Sequence, residues 1–515
     1  MTGSLTVIDY VVLGGYLAVT LAIGLRVARG MHTGREYFLA GRSLPWWAVG
    51  FSLVATDIGG TDIVGVGGAA YSHGMAVANF EWIGCVPAML VAAFIFVPVF
   101  YRAGVYTIPE YMERRFHAGV RVALATCWLI FMACNIGIML YASGVMMRGI
   151  FGWDPRWCVL ITAFLVGFYT LAGGLAAVVY TDVLQCVVMI GGCLLVTLFG
   201  LVELGGLSGL TERLEAREAA EHVELLLPVD TPSPFPWPGV FFGLALVLGP
   251  AYWIGNQAIV QRSLGARSER DATASFVSGA VLKNVIPLVV AVPGLVAFAL
   301  FPDLEKGDAA FPELVSRLMP AGLRGLFFAA FIAALMSSVD SYLNAAAAIV
   351  TKDFYARFWR KTTTDQALLG VGRTVTFALL LWAVGFAFVL ERLEGGGIYA
   401  VFQTLMAFFQ GPALALLITG LLWPRANGTG AMTGFLGGVF CAVGLFTLSS
   451  EKVSAALGWE PLFQIADPFL YFSVWAFLTA LVLTVVVSLA TPPAPEEKIR
   501  GLVFRRRGGG GKEGE

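Results

Sequence analysis

Charge is scarce in this sequence: 13% of its 515 residues are Asp, Glu, Lys or Arg, while 58% are hydrophobic. A soluble domain carries roughly a quarter charged residues, so this balance excludes an ordinary water-soluble fold. The formal net charge of −1 points to neither a nucleic acid nor any other strongly charged partner. Ligand-type residues are sparse as well. The seven cysteines (Cys85, Cys127, Cys134, Cys158, Cys186, Cys193 and Cys441) lie mostly in apolar runs, without C-x-x-C or Cys/His spacing. They read as small core residues and imply no metal centre or cofactor. H-E-x-x-H, G-x-S-x-G and Walker patterns are missing too, which argues against an enzyme and against an ATP-driven pump. No basic n-region or small-residue cleavage site accompanies the apolar run from Val7, so that run is expected to be a retained helix rather than a signal peptide.

What is abundant is apolar sequence in long runs. A bilayer core needs about 20 apolar residues per helix. Thirteen stretches qualify: 7–28, 46–71, 77–101, 120–148, 157–175, 181–203, 238–260, 275–301, 324–350, 367–390, 398–423, 429–449 and 469–490. Cytoplasmic loops are enriched in Lys and Arg. With the N-terminus outside, 23 of the 33 basic residues fall on internal segments and 9 on external ones, leaving Lys283 inside a span. The expectation is therefore a multi-pass inner-membrane protein with an external N-terminus and a cytoplasmic C-terminus. Residues 204–224 read as an external amphipathic helix, and the Gly-rich basic tail after Thr491 as cytoplasmic and disordered.

Two spans contain residues that a lipid-facing helix avoids. The second has Asp57, Gly59, Gly60 and Asp62 at mid-span; the seventh has Gly249, Pro250, Gly255, Asn256 and Gln257. Irregular backbone at membrane depth is tolerated where it is buried or lines a cavity. A buried carboxylate there costs on the order of 3 kcal/mol on insertion scales, which argues against packing kinks alone. Each break opens a five-span unit, and odd-numbered units insert in opposite senses, the plan of an inverted repeat with its site at the midplane. The expected organisation is a flanking helix and loop (1–45), a first repeat (46–203), an external loop (204–237), a second repeat (238–423), two flanking helices (424–491) and a tail (492–515).

The ninth span presents oxygen on one face. At about 100° per residue, Ala334, Ser337, Ser338 and Ser341 share a 100° arc, with Asp340 and Asn344 at its flank. Hard cations take several oxygen ligands, and unwound carbonyls near Ala55 and Ile58 would add more. Small residues on such a helix also allow close packing, the plainer explanation of the same pattern.

Specific pieces then carry a resemblance: Ala40-Gly41-Arg42-Ser43, Phe80-Glu81-Trp82, Pro109-Glu110-Tyr111, Gly173-Gly174-Leu175-Ala176-Ala177-Val178 followed by Tyr180-Thr181-Asp182, Ile259-Val260-Gln261-Arg262, and Met336-Ser337-Ser338. Running in order from about residue 40 to about 425, they resemble the sodium:solute symporter family, most closely the sodium/glucose cotransporters within it. The resemblance implies an all-α, LeuT-like fold of two inverted five-helix units among about 13 transmembrane helices. It implies sodium as co-transported ion, bound by the carbonyls of Ala55, Ile58 and Ala334 and the hydroxyls of Ser337 and Ser338. A second cation would lie at Asp182, Asp340 and Ser341, although Asp182 also reads as a helix N-cap and Asp340 stands where Ser or Thr is usual. The solute positions that match are Glu81, Tyr252, Trp253, Lys283 and Gln403, chemistry suited to a sugar or polyol, with Glu81 the expected partner of Lys283. Three positions depart from the sugar pattern: Asp57 stands for Asn, Asp62 for His and Gly249 for Thr. The two added acids, counted with the solute set, leave open an amine-bearing solute or a further cation or proton. A non-transporting membrane sensor is the remaining alternative class.

Overall fold

The computed structural model describes residues 6–28, 34–359, 364–392, 398–449, 451–460, 462–463 and 468–504. The tail cluster Arg505–Arg507 lies outside them. The chain is built of helices: α1 (Val7–Ala28), α2 (Trp46–Asp57), α3 (Asp62–Ala103), α4 (Ala118–Phe151), α5 (Pro155–Leu204), α6 (Gly239–Gly255) and α7 (Gln257–Leu264) come first. After them run α8 (Glu269–Leu300), α9 (Leu323–Trp359), α10 (Asp365–Arg392), α11 (Ile398–Ala407), α12 (Gln410–Leu422), α13 (Gly428–Leu448) and α14 (Phe469–Ala490). Among the described residues nine helices are long and apolar enough to cross a membrane, or eleven if each of two bent pairs is one span. The other two expected spans are α2 with the half-helix after its break, and the shorter apolar helix Pro155–Gly167.

Burial separates core from periphery. In α9 94% of the apolar window is buried; in α1 and α10 the figure is 22%, in α13 28% and in α14 33%. A helix apolar on all sides and covered by protein sits at the centre, whereas helices whose apolar faces stay uncovered meet lipid. The oxygen-rich face of Ser337, Ser338 and Ser341 is therefore the axis of the molecule, and Asp340 is fully buried on it.

Four local features differ from the sequence expectation. The turn expected between 175 and 181 is one kink at Gly174, where φ 57 and ψ 179 bend a continuous α5. Asp182 consequently lies within the helix, which removes its reading as an N-cap. The eighth span is interrupted between Lys283 and Ile286, and the eleventh is bent by 41° between α11 and α12. The external helix is shorter than 204–224: it runs Gly206–Glu215, followed by a single turn at Ala220–Val223.

On the face that holds the α3–α4 connection, ionic contacts tie the short helix Ile108–Arg115 to the end of α9. Arg121 bonds Asp353 at 2.7 Å and Glu113 at 2.5 Å, and Arg357 bonds Glu113 at 2.7 Å. Burial alone would raise the Glu113 pKa, but the bonds from Arg357 and Arg121 hold it below the usual range.

Candidate functional site

Each predicted break is sealed by a side chain of its own. At the first, Ile58 leaves the helix with φ −88 and ψ 90. The Gly59 amide donates to the Asp62 carboxylate at 2.9 Å, and the Asp62 amide returns to the Gly59 carbonyl at 3.1 Å. Asp62 thus acts as the reach-back residue of a capping box for the second half-helix. A regular helix would have aimed the Gly59 amide at the Ala55 carbonyl and the Asp62 amide at the Ile58 carbonyl. Both amides are diverted, so the two carbonyls named from sequence are among those released from the ladder at the break.

Across from them stands α9. The Ser338 hydroxyl donates to the Thr56 carbonyl at 2.9 Å, beside those two, while Ser337 donates to Asp182 at 2.6 Å. A Cβ added at Gly59 would sit 2.8 Å from the Ser338 hydroxyl oxygen, so glycine permits this approach. Four of the five expected sodium positions, Ala55, Ile58, Ser337 and Ser338, are thereby gathered where α2 meets α9. Ala334 lies one turn before Ser338 on α9, buried to 1% exposure.

The second break bends α6 against α7 by 50° at Asn256, whose side chain caps the Ala258 amide at 3.0 Å. Its amide nitrogen donates to the Tyr342 hydroxyl at 3.2 Å, which also meets the Tyr252 hydroxyl at 3.0 Å. Tyr252 is therefore held at the break by α9.

Between the breaks lies a cavity of about 60 Å³, lined among others by Asp57, Asp62, Glu81, Tyr252, Trp253 and Gln403. Six of the seven expected solute residues are thus brought together. The seventh, Lys283, stands behind the wall, fully buried and ion-paired to both Asp57 and Glu81. Its ammonium is 5.8 Å from the Trp253 ring centroid. The expected partner Glu81 is correct, and Asp57 is a second one, so Asp57 belongs to the support of Lys283 as well as to the cavity. The Asp57 and Glu81 carboxylates and the Cys85 thiol lie within 4.8 Å of one another, a metal-like spacing that Lys283 already serves as cation. The cavity is smaller than the ~150 Å³ hole that takes benzene, so a ring-sized solute requires its walls to move.

Gly249 has a local explanation. A Cβ there would lie 2.0 Å from the Gly84 carbonyl oxygen. The α6 and α3 backbones touch, leaving no room for threonine.

The expected second cation position already contains a cation. Asp182 accepts from Ser52 at 2.5 Å and from Ser337 at 2.6 Å, and it pairs with Arg262 at 3.4 Å. Arg262 also donates to Ser341, whose hydroxyl lies 3.1 Å from the Asp340 carboxylate. The roles of Arg262 and Ser52 were missed because their partners are distant in sequence. Gln410 was missed too: it lines the cavity with a buried side-chain nitrogen that has no hydrogen-bond partner. Its signal was Gln410-Gly411-Pro412 inside an apolar run, which marks the bend between α11 and α12.

Comparison with known proteins identifies the family and the fold. The chain is 32% identical to human sodium/glucose cotransporter 4 (96% of this chain, 77% of the relative) and 33% identical to the sodium/glucose cotransporter of Vibrio parahaemolyticus (84% of each). It is 34% identical to sodium/myo-inositol cotransporter 2 of Oryctolagus cuniculus (97% and 79%). Its fold superposes with a TM-score of 0.82 on a sodium-coupled sialic acid symporter at 21% identity, over 96% of this chain and all of that one. A model of the sodium:solute symporter family matches residues 37–438, and with these relatives it shows that the chain belongs to that family.

Proposed function

We propose that the protein is a sodium-coupled symporter that imports a sugar or polyol by alternating access. One observation carries this reading: the carbonyls of Ala55 and Ile58 are released at a break that faces Ser338 and adjoins a polar, aromatic-lined cavity. Sodium would be held by those carbonyls with the Ala334 carbonyl and the Ser337 and Ser338 hydroxyls, all neutral oxygens from two different helices. Its charge would draw the α2 break and α9 together, and Asp57, between Ala55 and Ile58 in the chain, couples that position to the cavity wall. The solute would meet Glu81, Gln403 and Gln410 through its hydroxyls, and Tyr252 and Trp253 through its carbon face. The names of the relatives, which specify glucose and myo-inositol, support this solute class.

We place the chain in the inner (plasma) membrane, N-terminus outside and C-terminus in the cytoplasm, with 46–203 and 238–423 as the two repeats. A second ion at Asp182, Asp340 and Ser341 would have to share them with Arg262. An amine-bearing solute is favoured by one observation: Asp57, Asp62 and Glu81 line the cavity against one adjoining lysine.

The test is thermal stability of the purified protein with sodium, alone and with sugars, polyols, amino acids and amines. A ligand at 100 times its Kd stabilises by about 2.7 kcal/mol. Stabilisation by a polyol that requires sodium fits the proposal. Stabilisation by amines alone, lost in Asp62→Asn, establishes the second reading instead.

A further inference from the structure

After α14 the chain returns to the face of the α3–α4 connection. It forms one helical turn, Glu496–Ile499, and reverses at Gly501, whose φ is 77. It then lies across the short helix Ile108–Arg115. The buried Tyr111 hydroxyl donates to the Leu502 carbonyl. The Lys498 ammonium donates to the Phe116 carbonyl at the end of that helix, where a cation complements the free carbonyls. The Phe504 amide donates to the Leu421 carbonyl of α12 at 2.9 Å, and the Leu502 and Phe504 side chains pack on the core while staying partly exposed.

Beneath this strap the short helix reaches the cavity from two sides. The Gln257 side chain of α7, next to the second break, accepts from the Ile108 amide at 2.9 Å and donates to the Tyr106 carbonyl at 3.0 Å. The fully buried Arg115 donates to the Gly420 carbonyl at 2.7 Å and to the Trp423 carbonyl at 3.0 Å, at the far end of the helix that begins with Gln410. The Thr107 hydroxyl donates to Asp353 on α9 at 2.8 Å. The short helix therefore joins α7, α9 and α12, and they cannot part at this face while all its bonds hold.

These bonds differ in what they cost to break. Arg115, Arg121 and Asp353 are buried, and stranding such charges is expensive. The strap is held at the rim by hydrogen bonds, each worth roughly fivefold in an equilibrium, and by side chains that are only partly covered. Segments with few buried contacts are the ones that open locally.

We propose that Glu496–Phe504 is a regulatory strap. Seated, it holds the short helix on α7 and α12 and keeps this face closed; released, it lets the face open and speeds transport. Its role rests on the alternating access proposed above, but the two fail separately, because release of the strap is read without transport.

Hydrogen exchange of the 106–116 amides is followed by mass spectrometry in the full chain for the wild type, Tyr111→Phe, Lys498→Gln and Lys498→Arg. Sodium-driven uptake of myo-inositol and glucose is measured beside it in proteoliposomes. Tyr111→Phe and Lys498→Gln should each speed exchange of these amides and raise turnover per folded molecule on the order of 2- to 10-fold. Lys498→Arg, which keeps the donor, should behave as the wild type. Faster exchange confined to 496–504, with that of 106–116 unchanged, overturns the strap and leaves a passive surface contact. Lower turnover beside faster exchange of 106–116 also overturns it, because the segment would then support the helix rather than restrain it. Should Tyr111→Phe fail to fold, Lys498→Gln on the exposed strap decides. A wild type that takes up neither solute, with exchange responding as stated, contradicts symport of these solutes and leaves the restraint standing.

Discussion

Lys283 on α8 pairs at once with Asp57 at the first break and with Glu81 on α3, so one buried ammonium joins three helices at the cavity. Removing one partner of a buried pair typically costs about 3 to 5 kcal/mol, because the remaining charge is stranded. Lys283→Met should accordingly abolish uptake and lower the melting temperature steeply. Adding Asp57→Asn should restore part of the stability, since one stranded carboxylate disappears. The double-mutant cycle measures this; purely additive losses would mean that the two residues act apart.

In the proposed sodium site Ser337→Ala or Ser338→Ala would each remove one neutral oxygen ligand, worth about 1 kcal/mol, so half-maximal sodium should rise roughly fivefold. Because Ser337 also bonds Asp182 and Ser338 bonds Thr56, both variants should lose some stability. Sodium titration of uptake beside a thermal melt separates the two effects.

Much of this site is legible in the sequence because membranes penalise polar residues severely. Asp57 and Asp62 in an apolar run, and Ser337, Ser338 and Ser341 at helical spacing, announce the break and the facing oxygens before any coordinates. What sequence leaves hidden is pairing across long separations. Arg262 finds Asp182 and Ser52, 80 and 210 residues away, and no periodicity along one helix encodes that. The same holds for Gly249, whose backbone contact with Gly84 turns a departure from the sugar pattern into a packing requirement. Span boundaries were least legible where a kink replaces a loop: Gly174 bends α5 without ending it, and composition alone reads glycine as a turn.

Gly249→Ala should be poorly tolerated. Its Cβ would meet the Gly84 carbonyl oxygen at 2.0 Å, a rigid backbone atom, and overpacking of this kind costs about 1 to 3 kcal/mol. Gly84→Ala, whose Cβ meets the Leu244 side chain at 2.8 Å, should cost less. Melting temperatures of the two variants check the order.

Asp308 provides a pH signature. It lies in the loop before α9, and its carboxylate accepts from the Ile398 amide at 3.2 Å, at the start of the helix that carries Gln403. Burial pushes its pKa up to about 6. A carboxyl whose pKa is higher in the folded chain than its ordinary 3.8 favours folding below that value and loses this contribution as pH rises through about 6. Part of the stability should therefore decline between about pH 4 and pH 6. Asp308→Asn should flatten that part of the curve; an unchanged curve would mean that another group titrates there.

Uptake of labelled glucose and myo-inositol into proteoliposomes, with an inward sodium gradient or with sodium replaced by potassium, tests the central claim most directly. At −100 mV a tenfold gradient gives each ion about 3.7 kcal/mol, enough for roughly 500-fold accumulation. Coupled symport predicts transient accumulation of one of these solutes above equilibrium with the gradient and only equilibration without it. Equal uptake in sodium and potassium would contradict it.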